Sequence, residues 1–148
     1  MPETLDHLPL ARTMEPTWLA KSDHSPAVAR RLLHSFLSGV RGGERFSDKG
    51  QLLVSELVTN AVVHATRSDQ RIRLRLEVDQ EQLWITVEDA SDQVPQPRKS
   101  TDGESGRGLL LVEALADAWG WGPREGVGKQ VWCVCSPDPA AGQPCRRR

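Results

Sequence analysis

The segment SPAVARRLLHSFLSGV, residues 25–40, places Val28, Leu32, Leu33 and Phe36 at helical spacing, behind a serine that can cap and a proline at the first helical position. This predicts a first amphipathic helix. Gly42 and Gly43 break it, and Ser47 is placed to cap a second helix running to about Ala65. Within that second helix the stretch LLVSELVTNAVVHA carries one formally charged side chain at pH 7, Glu56, unless His64 is protonated. A glutamate in what reads as a buried helix needs a reason.

The spacing then becomes that of strands. In RIRLRLEV, Ile72, Leu74, Leu76 and Val78 alternate with charged residues, and in LWITVED the positions Leu83, Ile85 and Val87 keep the same alternation. The polar tetrad Asp79 to Gln82 between them reads as a hairpin turn, so the two strands should pair antiparallel. From Ala90 to Ser105 the periodicity is lost and Pro95, Pro97 and Gly103 mark a long polar loop. GRGLLLVEALADAW follows as a third helix, and KQVWCVC closes the domain as a strand. Near the N-terminus, Pro2, Pro9 and Pro16 leave room for at most a short edge strand around Leu8 to Thr13. These elements predict an α+β fold: a two-layer α/β sandwich with helices on one face of a mixed, mostly antiparallel sheet of about four or five strands. The expected organisation is an N-terminal extension at 1–24, a folded domain at 25–135 and a disordered Pro/Arg tail at 136–148.

Composition narrows the function classes. A chain of 148 residues can bury one continuous core, and its formal net charge of -1 gives no general attraction to nucleic acid. No apolar run approaches the roughly 20 residues that span a bilayer, and no leader pattern opens the chain, so a cytoplasmic protein is expected. Three cysteines do not make a disulfide framework. Cys133 and Cys135 share a strand face, where core packing is favoured over a metal pair because no second pair of ligands accompanies them.

Glu56, Asn60 and His64 are four residues apart and share one helix face. A buried carboxylate is costly without a charged or hydrogen-bonding partner, although a lone Glu-x-x-x-Asn ordinarily reaches water at a helix edge. Counting in twos along LWITVED puts Asp89 on the face that carries Leu83, Ile85 and Val87, so a second carboxylate points between the layers. Two acids aimed at one interior space imply a cavity for a polar ligand. Gly106 and Gly108 flank the start of the third helix, where backbone N–H groups and the helix dipole favour phosphate.

In order, Glu56-x-x-x-Asn60, Asp89 at a strand end, a long loop and Gly106-Arg107-Gly108-Leu109 opening a helix resemble the ATPase superfamily shared by DNA gyrase, heat-shock chaperones and sensor histidine kinases. Within it, the set is most similar to the stand-alone anti-sigma-factor serine/threonine kinases of the single-domain actinobacterial type, over about residues 25–135. The resemblance implies a Bergerat-type ATP-binding fold that uses ATP and Mg2+. It implies that Asn60 holds Mg2+, that Glu56 is the general base, and that Asp89 accepts a hydrogen bond from the adenine amino group. It further implies that Gly106, Arg107, Gly108 and Leu109 wrap the phosphates beneath a lid from Asp92 to Ser105. Where the family usually has glycines after Asp89, this chain has Ala90, Ser91 and Asp92, with Ser91 kept among the nucleotide-binding positions. Where relatives typically have an adenine-binding threonine in the last strand, GKQVW has Gln130.

The implied function is an ATP-dependent protein serine/threonine kinase acting as an anti-sigma factor, whose partners are a sigma factor and an anti-sigma-factor antagonist. No nucleic-acid or membrane partner is implied, and a homodimer is compatible with the resemblance. The alternative is a catalytically inactive, nucleotide-dependent protein-binding module. An ATP hydrolase or a fragment of a fused sensor is less favoured, because no phosphoacceptor-histidine segment precedes residue 25. His64 fits either a neighbour of the site or a helix-end residue.

Overall fold

The computed structural model describes residues 7–64, 71–90, 105–124, 126 and 128–139, and for 105–108 the backbone alone. Among the described residues six strands, β1 (Arg12–Thr13), β2 (Thr17–Ala20), β3 (Arg71–Val78), β4 (Leu83–Asp89), β5 (Ala118–Pro123) and β6 (Lys129–Cys135), form one sheet in the order β1-β3-β4-β6-β5, with β2 also paired to β3. Among the described residues every pairing is antiparallel. The described helices α1 (Ser25–Ser38), α2 (Ser47–His64) and α3 (Ser105–Leu115) complete a two-layer sandwich.

β2 continues β1 along the same edge of β3. Pro16 sits in the gap between them, where a residue without an N–H interrupts pairing at least cost. The segment expected as an extension thus contributes to the sheet, and Leu19 reaches the core. The hairpin between β3 and β4 closes as its sequence predicts. Asp79 Oδ1 accepts from the backbone N–H groups of Glu81 and Gln82 at 2.7 and 2.8 Å, and Val78 pairs with Leu83.

Helix α1 turns Ala29, Leu33, Phe36 and Leu37 inward, with Val28 and Leu32 packed at the margin. Its expected serine cap is not used as one. Ser25 already lies within the helix, and its hydroxyl donates to the Ala20 carbonyl at 2.5 Å, tying α1 to the end of β2. Gly42, at φ 74°, takes the left-handed conformation that ends this segment, and a one-turn 3-10 helix (Gly43–Phe46) leads directly into α2. That entry leaves Ser47 in helical geometry, so it cannot cap as expected, and its hydroxyl accepts from Gln51 instead. The cap comes from Asp138, just past β6, whose carboxylate accepts from the N–H groups of Asp48 and Lys49 at 3.1 and 3.2 Å.

The third helix stops at Leu115, short of the sequence reading, and AWGWGP forms edge strand β5 instead. Its two glycines hide it from a propensity reading, and one of them has a packing reason. Trp132 on β6 lies over Gly120 so closely that a Cβ there would come within 2.8 Å of the indole. The helices cover one sheet face: α1 meets β3, α2 meets β3, β4 and β6, and α3 meets β5. Beneath them Ile72, Leu74, Leu76, Leu83, Ile85, Val87, Val131 and Cys133 are buried.

Candidate functional site

Helix α2 lies at the centre of the helical layer, against α1 on one side and α3 on the other. Its inward stripe is Leu53, Val54, Leu57, Val58, Ala61 and Val62, while Leu52 and Val63 are 48% and 53% exposed. Their exposure places Glu56 at the boundary, half-buried, on a groove of about 480 Å³ lined also by Arg30, Asp48, Gln51, Leu52 and Ser55. Arg30 bridges from α1 by donating to the Ser55 hydroxyl. The carboxylate of Glu56 therefore does not have to survive in a dry core.

Asn60 has the opposite environment. Four residues advance an α-helix by one turn and about 40°, enough to carry a side chain from the groove margin to the interior. Asn60 is 2% exposed, and neither Nδ2 nor Oδ1 has a hydrogen-bond partner among the described residues. Leaving a buried amide unsatisfied costs about 1–3 kcal/mol, so this residue fits a site where something else supplies the contacts. A hard amide oxygen that no described residue uses is the type of donor Mg2+ takes. Among the described residues no group of three or more His, Cys, Asp or Glu side chains is placed to hold a metal.

Asp89 points between the layers, as its register predicts, with 1% of its surface exposed. It is not the lone acid that the sequence suggests. Lys129, directly across the β4–β6 ladder and 2% exposed, places Nζ 3.0 and 3.1 Å from the two carboxylate oxygens. Counting back in twos from Cys135, Cys133 and Val131 reaches Lys129, so the strand period was the available signal for this residue. The same count turns Gln130 to the opposite face, where its side-chain oxygen accepts from Arg75 Nη2 at 3.2 Å. Lys129, not Gln130, is the residue of the last strand that faces Asp89.

Gly106, Arg107 and Gly108 lie in the first turn of α3, and Leu109 beside them is buried in the core cluster. Ser91 and all of the expected lid from Asp92 to Ser105 except Ser105, which opens α3, lie outside the described residues. His64 is the last residue of α2 and half-buried. Cys133 and Cys135 are core residues: burial pushes the Cys133 thiol well up, and the neighbouring Cys135 pushes it further. Burial likewise pushes the Cys135 thiol up to about 12, with Lys49 lowering it and Asp117 and Asp138 raising it. Neither is poised as a thiolate nucleophile or metal ligand. A further cavity of about 490 Å³, lined by residues including Leu8, His34, Leu37 and Arg41, shares no residue with the Glu56 groove or the Asp89 pair.

The family described as histidine kinase-like ATPase domain matches residues 18–134. Among solved structures, the histidine kinase domain from Erythrobacter litoralis EL346 blue-light activated histidine kinase is similar at 28% identity and a TM-score of 0.44. That likeness covers 63% of this chain and 45% of that one, so the chain spans less than half the length of that structure. No curated protein matches the chain. No described helix is long and apolar enough to cross a membrane.

Proposed function

Because the chain belongs to the histidine kinase-like ATPase domain family, we propose that it is an ATP-binding anti-sigma factor of the cytoplasm that phosphorylates a serine or threonine of an antagonist protein. The observation that carries this reading is the contrast along α2. Asn60 is buried with its amide unpaired among the described residues, and one turn earlier Glu56 lines an open groove. A nucleotide site needs a buried ligand for its cation, whereas a base that serves a second protein must be reachable from solvent.

In this reading Asn60 holds Mg2+ through Oδ1. When bound, Mg2+ supplies charge neutralisation at the phosphates. Asp89 accepts a hydrogen bond from the adenine amino group, and the first turn of α3 offers the phosphates its backbone N–H groups. Glu56 takes the proton of the acceptor hydroxyl as that oxygen joins the γ-phosphorus and ADP leaves. Arg30, on the same groove, is a cation at the place where an acceptor segment would enter. The sigma factor is the second partner, released when the antagonist is engaged.

The test pairs calorimetric ATP titration with a phosphorylation time course on candidate antagonist proteins. Glu56→Ala is expected to keep its ATP affinity while transfer falls by about 10²- to 10⁴-fold, the usual contribution of a general base. Loss of ATP binding would make Glu56 a structural or cation-shell residue, and unchanged transfer would remove it from the chemistry. ATP binding by the wild type without transfer to any acceptor would identify a nucleotide-dependent binding module instead.

A further inference from the structure

We propose that Lys129 is a second base-reading residue of the nucleotide site, donating from Nζ to the ring nitrogen N1 of adenine beside the amino group that Asp89 accepts. The inference rests on the proposed reading that Asp89 meets the base. It adds a residue and a rule of selectivity to that reading.

The two side chains are fixed to one another before any ligand arrives. Asp89 and Lys129 are directly opposed across an antiparallel ladder, and both point toward the helices. Nζ sits within 3.1 Å of both carboxylate oxygens, at 1% and 2% residual exposure for the two residues. Removing the ammonium to make room for a base would take the facing cation from a carboxylate in a dry interior, which is strongly unfavourable. A base that reaches Asp89 therefore meets the pair.

Both members retain capacity for a ligand. An ammonium has three N–H donors, and two serve the two oxygens of Asp89, leaving a third to direct elsewhere. A carboxylate has about four lone-pair sites, so accepting from Lys129 does not exhaust it. The pair thus presents an acceptor beside a donor. Adenine offers the complement, an amino donor on C6 next to an acceptor at N1. Guanine has the two reversed, with the acceptor O6 on C6 and an N1–H donor. In the same orientation guanine would set O6 against the carboxylate and N1–H against the ammonium, unfavourable at both points. A carboxylate alone reads one atom of the base, whereas the ion pair reads two and rejects the swapped order.

The experiment compares ATP, GTP and 1-deaza-ATP, in which N1 is replaced by C–H, by calorimetric titration of the full chain with Mg2+. A charge-assisted hydrogen bond corresponds to about 10- to 100-fold in affinity. The wild type should therefore bind 1-deaza-ATP at least 10-fold more weakly than ATP, and GTP more weakly still. Lys129→Met, if it folds, should bind ATP and 1-deaza-ATP equally. Equal wild-type affinity for ATP and 1-deaza-ATP would overturn the role of Lys129 while leaving the nucleotide reading in place. A Lys129→Met protein that kept the full preference for ATP over 1-deaza-ATP would do the same. No ATP binding at all would remove the nucleotide reading and this inference together. The wild-type arm decides the matter even if the variant does not fold.

Discussion

Glu88 and Asp89 are neighbours in one strand, and both are paired with cations, yet they lie on opposite faces of the sheet. On the outer face, Glu88 Oε2 is 3.2 Å from Arg73 and 3.3 Å from Arg75, whose side chains are about a third exposed. Trp84 and Trp132 stand beside them, their rings 5.9 Å apart. On the inner face, Asp89 and Lys129 face each other under the helices with almost no exposure. The chemistry is similar and the energetics are not. Water and mobile side chains make exposed pairs worth little, whereas a buried pair gains less from its attraction than it loses by desolvation unless its geometry is good. In the outer pairs Glu88 itself is only 8% exposed, but its arginine partners reach water. The inner pair is a costly arrangement in a mostly aliphatic layer, and the nucleotide site proposed above would give it a use.

The largest expected effect breaks the inner pair. Lys129→Met removes the buried cation that faces Asp89, and should lower stability by about 3–5 kcal/mol. Arg73→Ala removes one of two partners of Glu88 and should cost about 0.2–1 kcal/mol. Urea denaturation of both variants measures the difference. Similar losses would mean that the two faces are equally wet, and the distinction drawn here would fail.

The buried thiols sharpen the same contrast through pH. The Cys133 and Cys135 pKa values are raised above the ordinary 9.0 by burial, so the folded state keeps protons that the unfolded chain gives up. The stability this represents is fully present below about pH 9, and it is lost as pH rises from there toward the folded-state values. The slope is about 1.4 kcal/mol per pH unit for each thiol. Unfolding measured at pH 8 and pH 10 should therefore show a smaller alkaline loss in Cys133→Ala than in the wild type. An identical loss would show that Cys133 does not remain protonated in the folded protein.

A smaller effect belongs to the link between the end of the sheet and α2. Asp138→Ala removes the acceptor for two N–H groups at the helix start and should cost about 0.5–2 kcal/mol by denaturation. No measurable change would mean that Ser47 or water caps α2 instead.

Much of this was legible in the sequence, for reasons that differ by element. β3 and β4 were readable because their apolar inner positions alternate with charged, threonine or tryptophan outer ones, and that alternation also placed Asp89. The register of β6 carries Lys129 to the face of Asp89 as well, and turns Gln130 away from it. β5 was hidden because Gly120 and Gly122 lower strand propensity, and only the packing of Trp132 shows why one of them is required. The cap of α2 was not legible, since Asp138 lies 90 residues from Asp48 and no local pattern joins them. On α2 itself the helix was legible while the surroundings of Glu56 and Asn60 were not. Helical spacing grouped Glu56 with Asn60, but a 40° offset on a helix at the boundary of the core separates a groove residue from a buried one.

The central claim is that the buried Asn60 amide, unpaired among the described residues, is completed by a nucleotide and its cation. Calorimetric titration of ATP into the wild type and Asn60→Ala, with Mg2+ and with the metal chelated, tests it most directly. The account predicts Mg2+-dependent binding to the wild type and loss of that binding in the variant at retained thermal stability. Equal ATP affinity in both proteins, unaffected by chelation, would contradict it.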